Sequence, residues 1–303
     1  MKDEVFLFPF DREDIFGASS RDPQSLGWEI TKLGVDEQWS KSTGEGITVA
    51  VIDTGCDATH PDIRDNIVDQ YNFINSTQGA MDDNGHGSHV CGTIAAINNN
   101  VGMVGVAPRA KIMSLKALNA QGNGRMSDIA DAVLYAANNG ADIITMSLGS
   151  KACPRAMEEA IRYATETRKC LVFCAAGNSG PSVDILCPAK DERTIAIGAI
   201  DINFNRTNFT CSGPRLDFLA PGHNIRSIVP HNKYALMSGT SMSNPFAAGC
   251  AALYLSYYRY KKNQKHISRE EMIDIFKKNT IMLKNASQRS KKMQGYGIIK
   301  PIL

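Results

Sequence analysis

The sequence predicts an α/β fold, a mainly parallel sheet with helices on both faces. Short apolar or β-branched runs alternate along the chain with longer segments of helical periodicity. The first of these runs delivers a carboxylate at its C-terminal end, where parallel sheets bind their ligands. Size agrees: 303 residues with 43% hydrophobic content suffice for one large domain, and no composition break, repeat or low-complexity linker marks a second.

In chain order, the first strand is 47–52, where Ile47-Thr-Val-Ala-Val-Ile52 runs into Asp53-Thr-Gly55. A helix is expected over 87–97, entered through Asp82-Asp-Asn-Gly-His-Gly-Ser-His89. Strands at 111–116, 142–146, 170–174 and 194–199 alternate with helices at 127–139 and 154–168. Phe246-Ala-Ala-Gly-Cys-Ala-Ala-Leu-Tyr-Leu255 marks a tightly packed helix over 241–258, and Ser268-Arg-Glu-Glu271 is a capping box that opens a last helix over 268–279. Residues 1–23 read as an appendage.

A net charge of +2 is nearly balanced. The basic stretches Arg259-Tyr-Lys-Lys262 and Arg289-Ser-Lys-Lys292 read as solvated faces, because no aromatic interleaving or nucleic-acid motif accompanies them. No run approaches the ~20 apolar residues that span a bilayer. Met1–Phe10 carries two acids and a proline-interrupted apolar run, so the expectation is an unsecreted, cytoplasmic protein. The eight cysteines lack metal-ligand spacing and are expected to be buried, reduced thiols.

Gly239-Thr-Ser-Met-Ser-Asn-Pro245 places Ser241 at a helix mouth, among unpaired amide donors. Gly239 would allow a sharp turn, and Thr240 and Ser243 could cap amides. With Asp53 and His86 the chain offers Asp, His and Ser in that order, the order described for subtilisin itself, so the agreement is a match to a known case. From the residues alone, Gly-Thr-Ser fits a cap without chemistry equally well. His86 with His89 could also be a metal pair, although the further ligands such a site needs are missing.

Asp-Thr-Gly at 53–55, Asn-Gly-His-Gly-Ser-His-Val at 84–90 and the 239–245 segment together resemble the three signature segments of subtilisin-like serine proteases. The resemblance continues through Asn98–Pro108, Ile144–Gly149, Ala175–Asn178 and Ala220–Gly222, covering roughly Gln24 to Gly297. The Asp53-Thr-Gly-Cys-Asp57 sequence and a leader containing Phe6-Leu-Phe-Pro-Phe10 are similar to those of bacterial intracellular subtilisins. The resemblance implies a three-layer α/β fold with a peptidase domain at 24–303. It implies a serine endopeptidase in which Ser241 attacks, His86 is base and acid, Asp53 orients the imidazole and Asn178 is an oxyanion donor. Breadth of specificity stays open between general degradation and narrow processing, with an inactive peptide-binding fold as a third reading.

The same resemblance implies that polypeptide substrates bind as an added strand between Gln121–Gly124 and Ser147–Gly149, so that Gly122, Gly124, Ser147, Leu148 and Gly149 form the edges. Leu118, Met126 and Ile129 would line apolar subsites, and Leu186 would form the floor of the main pocket, shrinking it so that medium apolar side chains are favoured over large aromatic ones. It implies a Ca²⁺ site made from the side chains of Gln24, Asp62 and Asn99 and the carbonyls of Ile97, Val101 and Met103, an oxygen-only set that suits this ion. No nucleic-acid or membrane partner is expected, and a homodimer stays open. The leader is expected to inhibit until residues 1 to about 20 are removed, with Pro9 distorting the backbone near the would-be cut. Ser88, Cys91 and Phe246-Ala247 depart from the family pattern without removing a catalytic atom.

Overall fold

The computed structural model describes residues 3–15 and 23–303. The expected extension thus falls partly outside the described residues, at 1–2 and 16–22. The leader contributes strands β1 (Glu4–Leu7) and β2 (Asp11–Ile15), followed by short helices α1 (Trp28–Leu33) and α2 (Val35–Gln38). The body then runs β3 (Thr48–Asp53), β4 (Ile67–Asn72), α3 (His86–Ala95), β5 (Lys111–Lys116), β6 (Asn123–Arg125) and α4 (Met126–Asn138). Next come β7 (Ile143–Met146), β8 (Leu148–Gly149), α5 (Arg155–Arg162), β9 (Leu171–Ala175), β10 (Ile195–Ile200) and β11 (Leu216–Pro221). A hairpin of β12 (Ile225–Val229) and β13 (Lys233–Ser238) precedes α6 (Thr240–Lys261), α7 (Arg269–Lys277) and α8 (Lys291–Gln294).

A seven-stranded parallel sheet in the order β11-β10-β9-β7-β3-β5-β4 forms the centre. Its inner strands are buried on both faces, which is why they read as continuous apolar runs rather than alternating ones. Helices α3 and α6 pack together against the sheet, and α4 pairs with α5 to form the other helical layer. The predicted strands all occur within a residue of their expected limits. The capping box of α7 is complete, with Ser268 and Glu271 bonded reciprocally.

The sequence reading missed two kinds of strand. β4 and β11 carry charged residues at their sheet ends, which breaks the apolar run. β1, β2, β6, β8, β12 and β13 lie outside the βα alternation, in two three-stranded antiparallel sheets, β6-β1-β8 and β12-β13-β2. The helix expected over 154–168 ends at Arg162 and continues as one wider turn over Tyr163–Thr167. The cysteine expectation needs correction as well. Cys153 and Cys187 form a disulfide with Cα atoms 5.5 Å apart, and the other six are buried thiols. Ser150 and Cys187 exchange backbone hydrogen bonds of 2.9 and 3.2 Å, so the fold brings together residues whose spacing of 34 gives no local signal.

Candidate active site

β3 ends with Asp53 at the C-terminal edge of the sheet, 1% exposed. Its Oδ1 lies 2.8 Å from Nδ1 of His86, the first residue of α3. Asp82, which the sequence reading passed over, builds this approach. Its carboxylate accepts from Thr54 Oγ1 (2.8 Å), Asn84 N (3.0 Å), Gly85 N (2.8 Å) and Ser88 N (2.8 Å), fixing the turn into the helix. A signal existed: an aspartate shortly before a Gly-His helix start is turn and capping chemistry. His89 points elsewhere, with Nε2 at 3.0 Å from the Ile225 carbonyl. Burial, then the proximity of His86, pushes its pKa down to about 3, so it stays neutral. Among the described residues no group of three or more His, Cys, Asp or Glu side chains could hold a metal ion.

Ser241 lies in the first turn of α6, fully buried. Pro245 has no N–H to give to the Ser241 carbonyl, and Ser147 Oγ donates to that carbonyl instead at 3.2 Å. Ser241 Oγ donates to Ser147 O at 3.4 Å. Asn178 follows β9, and its Oδ1 accepts from Thr240 N (2.9 Å) and Thr240 Oγ1 (2.7 Å), which turns its NH₂ group toward the cleft. Gly239 does not make the expected sharp turn; its φ of 167° is extended. It is needed for close approach, because a methyl group there would lie 2.9 Å from Asn178 Nδ2. Thr240 Oγ1 does cap an amide, accepting from Gly177 N at 3.2 Å, whereas Ser243 Oγ donates to the Thr240 carbonyl at 2.9 Å.

The chain's own leader fills the cleft. β1 lies antiparallel between β6 and β8, with Val5 opposite Gly124, Phe6 opposite Gly149 and Leu7 opposite Leu148. Leu7 N donates to Gly122 O at 2.8 Å, and Met126 N donates to Asp3 O at 2.7 Å. Val5 is buried in one cluster with Leu118, Met126 and Ile129, and Leu118 packs at Gly124. Phe8 is 1% exposed against Gly149 and Gly177. The leader thus sets a large aromatic side chain where the main pocket was expected. Two glycines flank the phenyl ring, and Leu186 is half-buried next to Cys187, which bridges to Ser150. The Pro9 carbonyl accepts from Asn178 Nδ2 at 2.7 Å, and the Phe10 ring lies 4.9 Å from the His86 ring, centroid to centroid. Asp53 Oδ2 and His86 Nε2 are buried without a hydrogen-bond partner.

A profile of the subtilase family matches residues 44–297. The chain belongs to the subtilase family. It is 44% identical over 231 residues to "Subtilisin BL" of Lederbergia lenta, covering 76% of this chain and 84% of that one. It is 39% identical over 269 residues to "Intracellular serine protease" of Paenibacillus polymyxa, covering 86% and 81%. "Alkaline elastase YaB" of Bacillus sp. (strain YaB) is 43% identical over 231 residues, covering 76% and 60%. This subtilase is a serine endopeptidase that acts on polypeptides. Among its described residues no helix is long and apolar enough to cross a membrane.

Of the residues expected to hold calcium in this subtilase, Gln24, Asp62, Ile97, Asn99 and Met103 converge. Gln24 Nε2 approaches Ile97 O (2.9 Å), Met103 O (3.1 Å) and Asn99 Oδ1 (3.5 Å), and Asn99 Nδ2 approaches Asp62 Oδ1 (3.4 Å). Left-handed backbone at Asn100 and Gly102 curls the loop inward. Asp62 Oδ2 accepts from Tyr234 Oη and Met103 N, while Oδ1 has only the long Asn99 contact. Half a turn of the Gln24 amide would present its oxygen to the same point. One carboxylate with amide and carbonyl oxygens fits a hard cation such as Ca²⁺.

Proposed function

We propose that Ser241 is the nucleophile, His86 the general base and acid, Asp53 the group that orients the imidazole, and Asn178 Nδ2 with the Ser241 N–H the oxyanion donors. One observation carries this reading: a peptide carbonyl, that of Pro9, already rests on Asn178 Nδ2 in a strand laid between β6 and β8. In the reaction His86 Nε2 takes the Ser241 Oγ proton as Oγ attacks the substrate carbonyl, and the two donors stabilise the oxyanion. His86 then passes the proton to the leaving amine, and water activated by the same imidazole hydrolyses the acyl-enzyme. Asp53 keeps Nδ1 protonated, so that Nε2 is the free base.

The leader on this reading is an inhibitor. In a cleavable peptide one residue supplies both the pocket side chain and the carbonyl on Asn178. Here Phe8 fills the pocket while Pro9 supplies the carbonyl, so the register is displaced by one residue and neither flanking bond is correctly presented. Phe10 meanwhile covers His86. We further propose that calcium held by Gln24, Asp62, Asn99 and the carbonyls of Ile97, Val101 and Met103 fastens the segment following the leader to the body. The ion would supply electrostatic cross-linking of the loop. The favoured role is broad degradation of unfolded cytoplasmic polypeptides. A net charge of +2 offers nucleic acid and anionic membranes no strong attractive field.

The test is cleavage of unfolded casein with calcium present, by the full chain, by a chain starting near Arg21, and by Ser241→Ala in each. New N-termini are read by mass spectrometry. Scattered cuts by the shortened chain that vanish with Ser241→Ala are expected. A full chain as active as the shortened one would remove the inhibitory role of the leader, and cuts that survive Ser241→Ala would remove the nucleophile assignment.

A further inference from the structure

Phe8 shows how the pocket before the proposed cut is walled. A methyl group at Gly149 would collide with its ring and one at Gly177 would lie 3.4 Å from it, so the ring sits between the chain leaving β8 and the chain leaving β9. Neither wall has much support of its own. β8 is two residues long, and residues 176–194 run as turns and loop with an isolated bridge at Cys187. On its far side that connection is tied to the 209–212 segment. Gly180 N donates to Phe209 O at 2.7 Å, Ser212 N to Val183 O at 3.1 Å and Cys211 N to Gly177 O at 2.9 Å. Toward β8 it is tied at Cys187, through the backbone exchange with Ser150 and through the disulfide to Cys153. The chain reaches Cys153 four residues after Gly149 and Cys187 ten residues after Gly177, so the bond joins the two walls.

The other six cysteines remain buried thiols. In chains kept among thiol reductants, the disulfides that do form are usually transient or redox-sensing. Cys153 is half-buried and Cys187 is buried, so an incoming thiolate reaches Cys153 Sγ first.

We propose that the Cys153–Cys187 disulfide is a thiol-operated clamp that sets the selectivity of this pocket. Closed, it holds the two walls against a large aromatic side chain; opened, it lets them part, and the preference for that side chain falls. A dithiol opens it. One thiolate attacks Cys153 Sγ and displaces Cys187 as a thiolate, which takes up a proton. The second thiolate of the dithiol then attacks its own sulfur in the mixed disulfide and releases Cys153. The protein bond gains two electrons and two protons, and the dithiol leaves as its disulfide. The proposal rests on the cleft being the site of peptide hydrolysis and adds what controls its choice of residue.

The test uses the full chain carrying Val5→Asp and Phe8→Asp, whose buried unpaired carboxylates release the leader, with and without dithiothreitol. Alkylation of the native protein, read by mass spectrometry, shows whether the Cys153 and Cys187 thiols have formed. Substrates carry Val-Phe-Leu followed by phenylalanine or alanine at the cut. Reduction is expected to lower kcat/KM about tenfold for phenylalanine and to leave it within about twofold for alanine, which does not reach the walls. Cys153→Ala should show the lowered ratio from the start and ignore dithiothreitol. Equal loss on both substrates, an unchanged ratio in the reduced protein, or sensitivity that persists in Cys153→Ala overturns the proposal, and so does a bond that dithiothreitol does not open. If the wild-type full chain is as active as the variant, the inhibitory reading of the leader fails, and the wild type serves for the same comparison. If nothing is cleaved, the hydrolytic reading fails, and anisotropy of labelled Val-Phe-Leu-Phe and Val-Phe-Leu-Ala peptides reads the pocket directly. A ratio of affinities untouched by reduction then overturns the proposal.

Discussion

Around Asp53 and His86 the polar atoms are held by side chains and turns. Asp82 anchors four donors, Asn178 is aimed by Thr240, and Ser147 takes up the carbonyl that Pro245 leaves free. At the rims of the cleft, β6, β8 and β13 offer backbone, and what lies against them is the charged and apolar leader alike. The chemistry thus depends on residue identity at a few points, while the grip depends on strand edges that many sequences could form. Substitutions at the centre should abolish turnover, and those at the rims should change which peptide is turned over.

The largest break is expected at the centre. Ser241→Ala should lower kcat by about 10⁶, the size measured on subtilisin itself, with the fold intact by circular dichroism. Asn178→Ala should lower kcat by about 10²–10³, again a magnitude known from subtilisin, with KM nearly unchanged. A KM effect as large as the kcat effect would mean that Asn178 binds the ground state, as it already binds the Pro9 carbonyl.

This division explains what the sequence disclosed. Ile47–Ile52 announces a doubly buried strand and Asp53 its functional end, because burial on both faces leaves an unbroken apolar signature. Ser241 and Asn178 were legible as residue types in turn and helix-start contexts. The rims were not, since Leu148–Gly149 and Asn123–Arg125 are too short to show periodicity and become strands by pairing with residues far away in the chain. The Cys153–Cys187 disulfide depends on the same long-range placement, and a count of cysteines could not supply it.

A rim substitution sharpens the contrast. A methyl group at Gly149 would collide with the Phe8 ring. Gly149→Ala in the leader-released chain is expected to cut kcat/KM for phenylalanine before the scissile bond by about 10–100-fold relative to alanine there, the scale of pocket-shape discrimination. Equal effects on both substrates would place the damage in β8 itself and not in the pocket. Calcium removal lies between the two regions. At a free concentration a hundredfold above Kd the ion stabilises by about 2.7 kcal/mol. Chelation should lower Tm in the wild type, and the shift should shrink in Asp62→Asn.

The smallest effect separates two buried groups that the chemistry does not use. His89, held down to about pKa 3 by burial, stays neutral in the fold but takes up a proton when unfolded below 6.5, so its contribution falls as pH drops through that window. Glu29, raised to about 7 by burial, stays protonated in the fold but ionises when unfolded above 4.5, so its contribution falls as pH rises toward 7. Between about 4.5 and 6.5 the two oppose each other, at up to about 1.4 kcal/mol per pH unit each. Glu29→Gln removes one side. Its Tm relative to wild type should climb as pH is raised from 4 to 8, and its stability should rise more steeply than the wild type's between about 4.5 and 6.5, where His89 is left unopposed. Parallel curves for the two proteins would mean that Glu29 is already ionised in the fold.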